Sequence, residues 1–182
     1  GHWSSHPLRG LKRDIYEGGH RLPFLVKWPG VVPQDSVCSA LVSQIDLMAT
    51  LADVVGTTLP NNAAEDSHNL LPLFQGGTTP VRDTHVHNTT ATYAIRHGDW
   101  VLVDAKSGYI SKIDPNWETR HGYPAEDSQP AELYNLKEDI AQKKNLAAAH
   151  PEKLEELRSL LKKIQQQGHS APRLEGVPSF PN

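Results

Sequence analysis

A single cysteine, Cys38, leaves no partner for an internal disulfide and no thiolate set for a structural zinc. Its neighbours Ser36, Val37, Ser39 and Ala40 include no base to lower its pKa, which predicts a buried or half-buried, inert thiol. No apolar run approaches the roughly 18 residues that a membrane-spanning helix needs. Neither sign of charge dominates: 21 acids against 18 bases give a formal net charge of −3, so electrostatics supplies no reason to expect nucleic acid or an anionic membrane as partner. There is no Gly-x-Ser-x-Gly and no glycine-rich phosphate loop followed by Lys and Ser or Thr. No carboxylate cluster has the spacing of a divalent-metal site, and Glu65, Asp66 and Asp104 read as ordinary solvated acids. Internal repeats and low-complexity tracts are also absent.

What remains is a chain of 182 residues, 37% hydrophobic, long enough to bury a core. Its 13 glycines and 14 prolines point to a loop-rich α/β or α+β protein rather than a helical bundle. The first residues, Gly1-His2-Trp3-Ser4-Ser5, read as a loop from the middle of a protein. Leu22 to Trp28 is a short apolar run closed by Pro29-Gly30, which predicts a mostly buried strand ending in a turn. Ser43 is a good N-cap with an acid, Asp46, three residues on. Ile45, Met48, Leu51 and Val55 recur at helical spacing before Gly56, so a helix is expected over 43–55 with that stripe on its apolar face. A short helical turn is expected at Leu70–Phe74.

Residues 83–136 carry four strand candidates: 84–87, 93–96, 100–103 and 132–136. His97-Gly98-Asp99 fits a tight hairpin, and the order suggests a small antiparallel sheet. A long loop containing Pro115, Gly122 and Pro124 separates the last two. Pro151 suits the first position of a final helix over about 151–167. Its apolar stripe is Leu154, Leu157, Leu160, Leu161 and Ile164, and Gly168 ends it. The proline-bearing tail 170–182 reads as a surface strap.

Ten histidines invite a search for ligands. His85 and His87 alternate on a strand candidate and so share a face, but a zinc site needs a third ligand that no recognisable spacing supplies. His2 and His6 lie in a loop. The segment from Leu8 to Phe24 packs Arg9, Lys12, Arg13 and Arg21 among three glycines. Such a loop is either a solvated charged surface or a site for an anionic ester, since glycine lets backbone approach a ligand closely.

The same segment carries a family likeness. Leu8-Arg9-Gly10-x-Lys12-x-x-x-Tyr16-Glu17-Gly18-Gly19-x-Arg21-x-Pro23-Phe24, followed by Trp28-Pro29-Gly30, resembles the second-half signature of the type I sulfatases of the alkaline-phosphatase-like superfamily. Further matches follow in order: Gln44-Ile45-Asp46-Leu47-Met48-x-Thr50-Leu51, then Ala94-Ile95-Arg96-x-Gly98-Asp99-Trp100, then Glu132-Leu133-Tyr134-Asn135-Leu136 with Asp139 and Asn145-Leu146. The likeness spans roughly residues 1–170. Val101 stands where the family often has lysine, and the family's Cys/Ser-x-Pro-x-Arg motif occurs nowhere.

The resemblance implies an α/β fold. Residues 1–82 would form the edge of an alkaline-phosphatase-like α/β domain, and residues 83–182 a C-terminal subdomain with a small antiparallel sheet and a long helix. It implies sulfate-ester hydrolysis through a formylglycine nucleophile and calcium, both supplied upstream of Gly1 by an N-terminal half. The 182-residue chain alone would then be inactive. By position, Lys12 is the family's sulfate-binding lysine, and His87 and His6 are candidates for the substrate wall; Glu17 and Arg21 would brace the loop, with His20 packed beside them. The implied partners are a sulfated small molecule or glycan and the N-terminal half, with no nucleic acid and no membrane. The implied compartment is the periplasm or the exterior. Two alternatives stand beside this reading: a non-catalytic module that binds sulfated glycans, and a phosphodiester or phosphonate-ester hydrolase of the same superfamily.

Overall fold

The computed structural model describes residues 3–90, 92–123, 129–173 and 177. His2, Pro124 and most of the tail after Arg173 lie outside the described residues. The chain divides into two compact units that interleave in sequence. The first comprises residues 1–23 and 86–163, the second residues 24–85 and 164–182.

The four strand candidates become one sheet in the order β1-β2-β3-β4: β1 (Thr84–Asn88), β2 (Tyr93–His97), β3 (Trp100–Val103) and β4 (Glu132–Asn135). β2 and β3 pair antiparallel, with His97 opposite Trp100, so the hairpin loop is Gly98-Asp99. Gly98 takes a φ of +58° there, the left-handed value that a tight turn requires. β3 pairs antiparallel with β4, Val101 opposite Tyr134 and Leu102 opposite Leu133. Because strand side chains alternate, Ala94, Val101, Val103 and Tyr134 share one face. They form the core of the first unit with Ile15, Tyr16 and Leu136. Ile95, Leu102 and Leu133 on the other face are buried too. The outer edge of β4 is closed by Asn145, whose side chain accepts from Leu133 N–H and donates to Ala131 O.

Two helices carry the rest of the first unit. α5 (Pro151–Gln167) has the boundaries the sequence predicts and ends at Gly168 with φ +71°. Of its apolar stripe, Leu157 and Leu161, one turn apart, are fully buried, and Arg158 ties the helix to Asp104 just beyond β3 at 3.0 Å. α4 (Pro115–Arg120) lies inside what reads as a long loop. Its signals are nonetheless in the sequence: Asp114 caps Asn116 N–H at 2.9 Å, and Pro115 takes the first helical position.

The second unit corrects three expectations. Residues 22–28 form no strand, and Leu22, Phe24, Leu25 and Val26 are exposed. A strand exists only through its hydrogen-bonded neighbour, and among the described residues none pairs with this run. The helix begins as expected, with Ser43 N–H donating to the Asp46 carboxylate at 2.8 Å, and runs as a tight turn over Gln44–Asp46 into α2 (Leu47–Val54). It faces the other way, however: Ile45, Met48, Leu51 and Val55 are exposed, and the buried side chains are Asp46, Thr50 and Ala52. Periodicity defines an apolar stripe but not what covers it. Cys38 is exposed rather than buried, within a loop that has no regular structure. α3 (Leu71–Phe74) appears where a helical turn was expected. The described part of the tail is pinned, Ala171 being buried and Val177 O accepting from Asn61 at 2.7 Å.

Polar groups hold this unit together. Asp46 accepts from His68 N–H at 2.9 Å and pairs with Arg82, both side chains being buried. Thr50 Oγ1 donates to Asp46 O and accepts from Leu70 N–H at 2.8 Å.

Candidate functional site

The loop from Leu8 to Arg21 is rigid because its backbone folds upon itself at several points. Gly18 N–H donates to Arg9 O at 2.7 Å, and Ser5 Oγ donates to Gly10 O at 2.8 Å. A short helix, α1 (Glu17–His20), closes the loop. Its two glycines are dictated by contact: a Cβ at Gly18 would lie 2.6 Å from Arg9 O, and one at Gly19 would lie 2.0 Å from Asp14 O. Neither position accommodates a methyl group.

Asp14 is the clamp. It is buried, and its Oδ2 accepts from Leu11 N–H while its Oδ1 accepts from Ile110 and Ser111 N–H, each at 2.8 Å. Ile15 N–H adds a bond to Gly108 O at 2.9 Å. The apex between these ties is Lys12-Arg13, both exposed. Arg13 sits in the left-handed region at φ +83°, a conformation costing a non-glycine residue about 1–2 kcal/mol. Observed strain of this kind persists only where the surroundings impose it.

Arg9 departs from its expected place among the loop's surface cations. It is sealed inside, where it donates from Nη1 to Tyr134 Oη at 2.8 Å and Gln142 O at 3.2 Å, and from Nε to Tyr109 Oη at 3.0 Å. Its guanidinium lies 4.1 Å from the Tyr16 ring centroid and 4.9 Å from that of Tyr109. Glu132 and Glu118 stand 3.6 and 3.9 Å away. Burial alone would lower the arginine's pKa, but Tyr16, Tyr134, Tyr109 and Glu132 raise it. Burial and Glu132 push Tyr16 and Tyr134 upward, and burial pushes Tyr123 to about 12. The cage is therefore one fixed cation among neutral phenols. Tyr16 Oη also donates to Glu132 at 2.8 Å and accepts from Gly108 N–H at 2.9 Å. Apart from Tyr16, these partners lie 100 or more residues from Arg9, beyond the reach of local sequence reading.

The remaining cation, Arg21, pairs with Glu17 at 3.3 Å, the brace expected for this loop. His20 stands 3.5 Å from the same carboxylate, and its ring packs against His87 at 4.1 Å. Burial alone would raise the Glu17 carboxyl, but the hydrogen bond and charge of His20, with Arg96 and Arg21, hold it below the usual carboxylate range.

Lys12 is exposed and, among the described residues, makes no ion pair or hydrogen bond. His87 is half-buried on β1, with Nε2 2.9 Å from Ile15 O, three residues after Lys12. A carbonyl can only accept, so Nε2 carries the proton in this contact. His6 is exposed, with its ring 4.4 Å from that of Trp3, whose Nε1 donates to Leu8 O. The loop carries Lys12 at its apex and holds His87 through Ile15 O, and His6 precedes it in the chain. His85 faces Arg82, its Nδ1 3.0 Å from Nη1. Among the described residues no three of His, Cys, Asp and Glu come together as a set able to hold a metal ion.

Comparison with known proteins gives a consistent result. The profile of a family described as N-sulphoglucosamine sulphohydrolase, C-terminal, matches residues 10–169. An N-acetylgalactosamine-6-O-sulfatase of Bacteroides thetaiotaomicron is 34% identical over 90% of this chain and 31% of its own length. A solved structure described under the metabolism of multiple glycosaminoglycans by that organism is 32% identical, with a TM-score of 0.68 over 87% of this chain and 32% of its own. A structure described as Ps i-CgsB in complex with k-i-k-neocarrahexaose is 26% identical, with a TM-score of 0.64 over 87% of this chain and 32% of its own. The chain therefore spans about a third of the length of the relatives it matches. The likeness agrees with the expected α/β class, with its small antiparallel sheet and long C-terminal helix.

Proposed function

The chain belongs to the N-sulphoglucosamine sulphohydrolase C-terminal family of type I sulfatases, and from that membership we propose that it is the C-terminal portion of an enzyme hydrolysing sulfate esters. Lys12 is its contribution to the chemistry. The observation that carries this reading is the state of the loop's cations: Arg9 is caged and Arg21 is paired, while Lys12 is exposed, without a partner among the described residues, on a backbone clamped by Asp14. A fixed ammonium binds a sulfate oxygen and offsets charge as it develops on the leaving oxygen, without reorganising at that moment. His87, anchored to the loop at Ile15, and His6 would line the substrate wall.

The residues described here do not fit calcium, and Cys38 does not lie in a Cys/Ser-x-Pro-x-Arg sequence. In this reading the nucleophile and the metal both belong to the remainder of the protein. The exposed run at 22–26 agrees with residues 1–82 completing the edge of a larger α/β domain, residues 83–182 being a C-terminal subdomain. The substrate is a sulfated small molecule or glycan met in the periplasm or outside the cell. No helix among the described residues is long and apolar enough to cross a membrane.

The test is Lys12→Ala in the full-length protein, assayed on 4-methylumbelliferyl sulfate. Removing a donor aimed at developing charge should lower kcat/KM by about 10² or more. A loss of less than about threefold would refute the role of Lys12, and wild-type protein inert on sulfate esters would refute the activity.

A further inference from the structure

We propose that Arg13 and Lys112 form a second anion subsite beside Lys12, so that the preferred substrate is a saccharide carrying more than one anionic group. The inference rests on the sulfatase reading and deepens it. Two loops meet at Asp14, whose Oδ2 takes Leu11 N–H and whose Oδ1 takes Ile110 and Ser111 N–H, all at 2.8 Å. Arg13 precedes that clamp by one residue, and Lys112 follows Ser111 directly. One carboxylate therefore holds the backbones of both cations in fixed register next to Lys12.

Both side chains are exposed, and among the described residues neither makes an ion pair or hydrogen bond. That contrasts with Arg9, Arg21, Arg82 and Arg158, each paired with an acid. The carboxylates nearest in sequence are committed elsewhere. Asp14 is buried on three backbone donors, and Asp114 caps α4 through Asn116 N–H. A chain with a net charge of −3 thus carries Lys12, Arg13 and Lys112 on two stitched loops, none of them in an ion pair with a carboxylate among the described residues. Like charges held close repel one another, and a bound anion relieves that repulsion. Arg13 also keeps a left-handed backbone, at φ +83°, that the surrounding ties impose. A guanidinium fork suits a sulfate or carboxylate in bidentate fashion, while lysine adds a compact charge. With Lys12 engaged on the scissile sulfate, this pair meets a second anionic group on the same or the next sugar. A small monosulfate has nothing to place there.

The experiment uses the full-length protein as wild type, as Arg13→Ala/Lys112→Ala, and as a control, Lys162→Ala/Lys163→Ala, which removes two exposed cations from α5. Calorimetric titration with a heparin hexasaccharide is run at two salt concentrations, beside turnover of 4-methylumbelliferyl sulfate. The double loop variant should bind the hexasaccharide roughly tenfold more weakly, with a shallower salt dependence, and the control pair within twofold of wild type. In the double loop variant hexasaccharide binding should fall at least threefold further than monosulfate turnover does, and the control pair should change turnover by less than twofold. Equal weakening in both pairs, no weakening in either, or a parallel fall on the monosulfate would overturn the subsite. Should the double variant unfold, Arg13→Gly, which takes the same backbone without a side chain, repeats the measurement. Wild-type protein that binds the hexasaccharide but cleaves no sulfate ester would sink the sulfatase reading, while the titration still decides the subsite.

Discussion

The two compact units solve the problem of their interiors in opposite ways. The first unit buries apolar strands on both faces and admits one cation, Arg9, only within a ring of tyrosines and acids. The second turns a buried Asp46, Thr50 and Arg82 inward and leaves Ile45, Met48, Leu51 and Val55 exposed along α2 and its two ends. Of the thirteen large apolar side chains left exposed among the described residues, nine belong to the second unit. Apolar surface is stabilising only where water is removed from it, so the second unit has an outer face whose favourable term is unclaimed within the described chain. Its inner polar set depends on the pairing of Arg82 with Asp46 instead, because a buried charge without its partner is costly.

The contrast predicts where each unit breaks. The largest effect should come from Asp46→Ala, which strands Arg82 and the His68 and Ser43 N–H groups. It should cost about 3–5 kcal/mol in urea denaturation, and a loss under 1 kcal/mol would mean that water replaces the carboxylate freely. In the first unit Leu157→Ala removes a fully buried side chain and should cost about 2–5 kcal/mol by the same measurement, with the m-value unchanged. A smaller effect belongs to Glu17. Its folded carboxyl is held below the ordinary value of 4.5, so the unfolded chain takes up the proton first. The stability this contributes is present above that value and is lost as pH falls below it. The Tm gap between wild type and Glu17→Gln should therefore be present at neutral pH and shrink in acid; a gap that widens in acid would reverse the assigned direction. The smallest effect should be Leu51→Ser on α2, within about 0.5 kcal/mol. A loss above 1 kcal/mol would show that this face is covered, and would erase the contrast.

The first unit was the more legible of the two. β2 and β3 are short apolar runs joined by the turn residues Gly98-Asp99, and α5 carries proline at its start, glycine at its end and one apolar stripe, all local signals. α2 was legible as an element but not in its orientation, since an apolar stripe looks the same whether or not anything packs on it. The run at 22–28 has strand composition, yet pairing is a property of two segments. In the candidate site, the Glu17–Arg21 brace lies four residues apart and could be anticipated. The cage around Arg9 could not, because Tyr109, Glu132, Tyr134 and Gln142 arrive from the far end of the chain. Asp114-Pro115 is a local start signal for α4, set inside a loop-rich stretch.

The steric closure at Gly18 and Gly19 bears on how this protein can diversify. Two adjacent codons admit a single residue each, whereas the apex six residues earlier, at Lys12 and Arg13, faces open solvent. A mutational library for new substrate preference should therefore hold 18 and 19 constant and spend its variation at 13 and 112. Selection acting on such a loop would then tune recognition without re-solving the fold each time.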